Sequence, residues 1–153
     1  MRYVKECRWK RLSGGLARIW RIKESCQLSV ASCQFKMIYT ELEVWKEARI
    51  LVKMMYIHFV KFPRDEVFGL QSQMKRAVIS IPSNIAEGCG RNHRKDSLQF
   101  FFIARGSAFE LETQLYLAFD LGFINQDIFN EILLQIEKVK KLLSGFIKYF
   151  EGL

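Results

Sequence analysis

"NQDIFNEILLQIEKVKKLLSGFIKYF", residues 125–150, decides the fold. Phe129, Ile132, Ile136, Val139, Leu143, Phe146 and Phe150 follow one another in strictly alternating steps of three and four. At about 3.6 residues per turn, such steps put all seven on one side of a long α-helix. A half-buried strand would need alternation at every second residue, and nothing in the chain sustains it. A helix with one apolar face needs something to bury that face against. Outward from this stretch the same period recurs. Leu98, Phe101, Ala104, Ala108, Leu111, Leu115 and Ala118 mark a helix over about 94–121, with Gly122 as its C-terminal cap. Leu70, Met74, Ala77, Ile81 and Ile85 mark the helix before it. Leu42, Trp45, Ala48, Val52, Met55 and Phe59 mark the first, opened by Thr40 and Glu43 at capping-box spacing and broken at Pro63. Four such helices joined by short loops predict an all-α, antiparallel up-down-up-down four-helix bundle.

The chain has 153 residues, half of them hydrophobic and only two of them proline, enough for one ordered domain with a real core. No apolar run approaches the roughly 18 residues of a membrane span. The formal charge of +8 invites a nucleic-acid reading, but its distribution matters. Residues 1–36 carry nine Lys and Arg against Glu6 and Glu24, a net +7. Residues 37–153 carry fifteen basic against fourteen acidic side chains, a net +1. The basicity belongs to a tail, which also holds three of the four cysteines and a Gly-Gly pair. It superficially resembles a transit peptide, being Arg-rich and poor in acid, and it lacks the apolar core of a secretory signal. The preferred reading divides the chain into this basic extension, 1–36, and a bundle, 37–153, that opens at Met37. The extension is then an over-extended start or a disordered arm; the alternative is an arm that grips phosphates. Cys7, Cys26, Cys33 and Cys89 match neither CxxC nor a zinc spacing and read as reduced thiols of a cytoplasmic protein.

The third helix carries more apolar surface than a bundle core needs. Phe102, Phe109, Tyr116 and Phe123 recur every seven residues, one step round from the main stripe. Three occupants are open: a wide core face, a second copy of the chain, or an aromatic or lipid ligand. Among the basic residues of the body, Lys75 and Arg76 on the second helix and Arg91, Arg94 and Lys95 around His93 form a candidate phosphate-binding patch if they share one end of the bundle. The alternative is ordinary solvated surface. No aromatic platform interleaves with these charges, so base stacking is not indicated.

Catalysis finds little support. Cys89 and His93 are four apart with Glu87 nearby, yet no third group orients them and "GCG" is no nucleophile elbow. "EGCGR" is too short for a phosphate-cradling loop and follows no strand. His58 reads as a packed imidazole, and Glu110 and Glu112, two apart on a helix, face different ways. The sequence predicts a non-enzymatic protein with no cofactor and no bound metal.

"SIPSNIAEGCGR", residues 80–91, ends the second helix. Pro82 has no N–H to offer the carbonyl of Val78, so the helix is expected to kink or restart there. Ser80 and Ser83 can supply hydroxyls to backbone groups left over. Asn84 and Glu87 lie on one face of the last turns, where hydrogen bonds within the bundle or across a subunit contact are expected. Gly88 and Gly90 let the chain stop and turn.

Three separated stretches, "LEVWKEARILV", "FGLQSQMKRAVISIPSNIAEGCGR" and "IARGSAFELETQLYLAFDLGFI", together resemble the four-helix-bundle proteins encoded in intervening sequences of bacterial 23S rRNA genes. The resemblance covers about residues 40–150 and leaves 1–36 uncovered. It implies a homopentamer of cytoplasmic bacterial origin, without enzymatic activity, in which the SIPSNIAEG pattern serves fold and assembly. A related branch is the accessory variability determinant of diversity-generating retroelements, a basic pentamer that binds a reverse transcriptase and nucleic acid. The near-neutral body departs from that strongly basic pattern. The partners implied are therefore other copies of the chain, RNA or DNA, and a reverse transcriptase, with no membrane. A protein-interaction scaffold without nucleic acid is the rival of different class.

Overall fold

The computed structural model describes residues 38–60 and 62–152. The expectations for the extension, residues 1–36, lie outside the described residues. Among the described residues there are four α-helices and no strand: α1, Glu43–Phe59; α2, Leu70–Cys89; α3, Arg94–Asp120; and α4, Gln126–Glu151. Short 3-10 turns at Tyr39–Glu41 and Arg64–Val67 precede α1 and α2. Each helix packs against its neighbours in sequence, α4 closes back on α1, and the diagonal pairs stay apart. The result is a four-helix bundle around one core.

The apolar stripes meet in that core. Leu51, Met55, Met74, Ile81, Phe101, Leu111, Ile136 and Leu143 are all essentially inaccessible to solvent. Each such side chain contributes roughly 1.5–3 kcal/mol by leaving water. On α1 the buried arc is centred one step away from the expected stripe. Val44 and Leu51 lie inside, while Trp45 and Val52 sit on its margin. The arc is wide because α1 faces both α2 and α4.

The helix ends show which local signals are used. Gly122 adopts φ 73°, and the bonds Phe123 N to Ala118 O and Gly122 N to Phe119 O, each 2.9 Å, complete a Schellman cap on α3. Asn125 caps α4, its Oδ1 accepting from Ile128 N at 3.0 Å. The Glu66 carboxylate accepts from Leu70 N at 2.8 Å at the start of α2. The expected box of Thr40 and Glu43 does not form. Thr40 is held within the 3-10 turn, Leu42 is the cap residue, and it offers no side-chain acceptor. Tyr39 packs edge-on against Trp45 instead, with ring centroids 5.1 Å apart.

Candidate functional site

The stretch 80–91 differs from its reading in two ways. First, α2 runs through Pro82 without a break, to Cys89. Side chains reinforce the carbonyls just upstream: Ser83 Oγ donates to Ile79 O at 2.9 Å and Asn84 Nδ2 to Ser80 O at 2.8 Å. Second, Gly88 is not a terminator but a buried helix residue. A Cβ there would stand 2.4 Å from Cε1 of Phe101 and 3.0 Å from the Ser97 carbonyl oxygen. The missing side chain lets α2 lie close against α3. Gly90 has an ordinary right-handed φ of −85°, so its backbone does not require glycine.

Asn84 organises a polar relay across the same seam. Its Nδ2 also donates to Ser80 Oγ at 2.8 Å, Ser80 Oγ meets Ser107 Oγ at 2.9 Å, and Ser107 Oγ donates to Ile103 O at 3.1 Å. With one proton per hydroxyl, this set is satisfied only if Ser80 donates to Ser107. Glu87 does not join it; Glu87 pairs with Arg91 one turn on, both exposed. Asn84→Ala should therefore lower stability by about 1 kcal/mol and Glu87→Ala by almost nothing, read as midpoints of urea unfolding. Equal midpoints for the two variants would contradict this assignment.

The five candidate phosphate ligands do not come together. Lys75 and Arg76 lie in the first third of α2, and Arg91, Arg94 and Lys95 lie beyond its end. The sixteen residues from Lys75 to Arg91 correspond to about 24 Å of helix rise. Lys75 Nζ sits 5.4 Å from the centroid of Phe59 at the end of α1. Arg91, besides its pair with Glu87, lies 4.3 Å over the ring of Phe100. Arg94 Nε donates to Phe150 O at 2.9 Å and its Nη2 to Glu151 O, which ties the start of α3 to the end of α4. Arg76 and Lys95 project from the exposed surface.

On α3, Phe102, Phe109 and Tyr116 are 39, 51 and 47% exposed, so they are not core. Phe123 is different: the turn after α3 brings it against Phe62, with centroids 5.6 Å apart. Ile103 and Leu117, which the period of seven did not select, are as exposed as the aromatic residues. Sequence reading also missed a groove of about 420 Å³ between α1 and α2, floored by Trp45, Val52, Ile79 and Pro82 and edged by Arg49 and Lys53. The pairing of an aromatic residue with a cation one turn later was its available signal. Arg49 does lie over Trp45, at 4.9 Å.

Of the candidate nucleophile and base, Cys89 is partly buried against the core at the end of α2, and burial pushes its thiol up to about 11. A thiol so rarely ionised is a poor nucleophile. His93 is exposed in the turn. Among the described residues, no three His, Cys, Asp or Glu side chains gather as a metal site requires. No helix among them is long and apolar enough to cross a membrane.

A solved structure described as a protein of unknown function from the S23 ribosomal protein family of Bacteroides thetaiotaomicron has the same fold. It superposes with a TM-score of 0.64 at 24% identity, over 69% of this chain and 98% of that one. No curated protein matches the sequence. The family described as 23S rRNA-intervening sequence protein matches residues 40–145, the whole of α1 to α3 and most of α4, and the chain belongs to that family.

Proposed function

We propose that the protein is a non-enzymatic, self-assembling bundle of the cytoplasm that presents repeated basic turns to nucleic acid. The observation that carries this reading is the outward face of α3, where Phe102, Ile103, Phe109, Tyr116 and Leu117 are each at least 39% exposed. Contiguous apolar surface of this kind marks an interface. The up-down-up-down course of the helices is supported by Arg94 binding the last carbonyls of α4 and by Gln71 Nε2 donating to Phe59 O at 2.7 Å. Each copy then carries the Arg91–Lys95 turn at one end, and assembly into a closed ring, five-fold by resemblance, multiplies a modest charge. The raised thiol of Cys89 supports the absence of cysteine chemistry.

Titration of the full chain with ribosomal RNA over a salt series tests the nucleic-acid half. Phosphate contacts release counterions, so log K should fall linearly with log salt. Lys95→Ala and Arg91→Ala should each lower the slope by about 1. Binding that ignores salt, or slopes unchanged in both variants, would remove this half of the reading.

A protein-interaction scaffold is the second reading, and one observation favours it. Lys75, Arg91 and Arg94 already engage a ring, a carboxylate and backbone carbonyls of their own chain. A role beside a reverse transcriptase has less support, because the body carries fifteen basic against fourteen acidic residues.

A further inference from the structure

We infer that the groove between α1 and α2 is a docking site for an acidic amphipathic helix of another protein. The inference stands apart from RNA contact at the Arg91–Lys95 turn and from the outward face of α3. It gives the scaffold reading a surface and a partner chemistry. Charge carries it. The body as a whole is nearly balanced, but this seam is not. From Ala48 to the end of α1, and from the start of α2 to Ala86, the chain has no Asp or Glu. The same two spans hold Arg49, Lys53, Lys75 and Arg76. Among the described residues none of these four is in an ion pair. Arg49 lies over Trp45 and Lys75 over Phe59, contacts that leave their charge unneutralised. The acids that flank the seam are engaged or stand at its ends. Glu47 is buried with Lys138 of α4, and Glu87 is paired with Arg91. Glu41 and Glu43 precede the groove, and Asp65 and Glu66 lie in the turn beyond it.

The floor decides what kind of anion fits. Val52, Ile79 and Pro82 line the groove beside Trp45, and Ile79 is 43% exposed. A single-stranded nucleic acid needs open aromatic platforms between its phosphate contacts. Trp45 already has Arg49 over its ring at 4.9 Å and Tyr39 edge-on at 5.1 Å. The aliphatic floor suits Leu, Ile or Met side chains instead. A stacked arginine still presents its N–H fork sideways, where a carboxylate can accept two parallel bonds.

The dimensions fit a helix. From Trp45 to Lys53 the α1 wall rises about 12 Å. Apolar anchors at i, i+3 or i+4, and i+7 of a helix seated in a groove cover that length. Carboxylates along its edges then meet Arg49 and Lys53 from α1, and Arg76, one turn before Ile79, from α2.

Two synthetic peptides of about 18 residues, five helical turns, test the site on the full chain. Both carry a leucine stripe at the same helical spacing; one has glutamates beside the stripe, the other lysines. Fluorescence anisotropy at low salt reads binding, and circular dichroism confirms the fold of every variant. Wild type should bind the glutamate peptide about tenfold or more tightly than the lysine peptide, and Arg49→Glu with Lys53→Glu should invert that preference. Ile79→Ser, at a half-exposed position, should weaken the glutamate peptide by about fivefold. Binding of poly-U and the mass of the protein in solution should not change on reversal. Failure of wild type to bind the glutamate peptide, or to distinguish the two peptides, would overturn the assignment. A preference kept by the reversed groove would overturn it too, while leaving the scaffold reading to another face. Poly-U bound more tightly than the glutamate peptide and lost on reversal would make nucleic acid the occupant. Assembled mass lost on reversal would make the occupant a second copy, and either result overturns the assignment.

Discussion

Gly88→Ala is expected to lower stability by about 2–3 kcal/mol, a fall in Tm of roughly 10 °C, although alanine is the better helix former. The new methyl group would lie 2.4 Å from Cε1 and 2.8 Å from Cδ1 of Phe101. That ring cannot turn aside cheaply. It is fully buried and packs edge-on against Phe146 and Phe150, at centroid distances of 4.8 and 5.1 Å. Relief must come from α2 backing away from α3, which would stretch the relay from Asn84 through Ser80 to Ser107. Combining Gly88→Ala with Phe101→Leu should cost less than the sum of the two changes, because the smaller side chain admits the methyl group. Thermal melting of the two single variants and the double variant measures this. Strict additivity, or an unchanged melt for Gly88→Ala, would show that the seam has slack the structure does not display.

Glu47→Ala is expected to cost a further 2–3 kcal/mol, and to change how stability depends on pH. Glu47 is a buried carboxylate of α1 that receives Gln135 Nε2 and Lys138 Nζ of α4, both at 2.8 Å. Donation by Lys138 first, and by Gln135 second, holds its carboxyl below the ordinary 4.5 against the opposing effect of burial. A carboxyl depressed in the folded state contributes stability that is complete above its unfolded value and is lost as pH falls through its folded value. Melting should therefore weaken as the solution is acidified from 4.5 downward. In Glu47→Gln that share of the acid dependence should vanish, while the donor from Gln135 keeps an acceptor. Melting curves from pH 7 to pH 3 for wild type and Glu47→Gln decide the point. Parallel curves would assign the acid dependence to other groups.

Periodicity carried most of the architecture. Steps of three and four in residues 129–150 define the buried side of α4, and Gly122 and Asn125 close one helix and open the next as their chemistry suggests. What spacing along one helix cannot express is which neighbour stands opposite. Gly88 looks like a terminator because glycine often is one. Only the approach of Phe101, across the turn, shows that the absent Cβ is a packing requirement. Phe123 shares the period of Phe102, Phe109 and Tyr116, but it lies past the cap at Gly122, where the helical register no longer holds. The basic residues fall into two separate places for the same reason. Lys75 and Arg91 are close in sequence but separated by most of α2. The groove at Trp45 needs two helices at once, and its α2 wall contains Pro82, whose sequence signal concerns only the backbone.

The bond between Gln135 and Glu47 joins residues 88 apart, whereas the other three seams join helices consecutive in the chain. In terms of time rather than energy, those three seams require only short loops to close. The fourth brings together the two ends of the bundle and carries the largest loss of chain freedom. Interactions made there belong late on the folding route. Their removal should act mainly by hastening the opening of the bundle and leave the rate at which it forms nearly unchanged. The buried carboxylate of α1 thus works less as a guide to the fold than as the clasp that sets its lifetime.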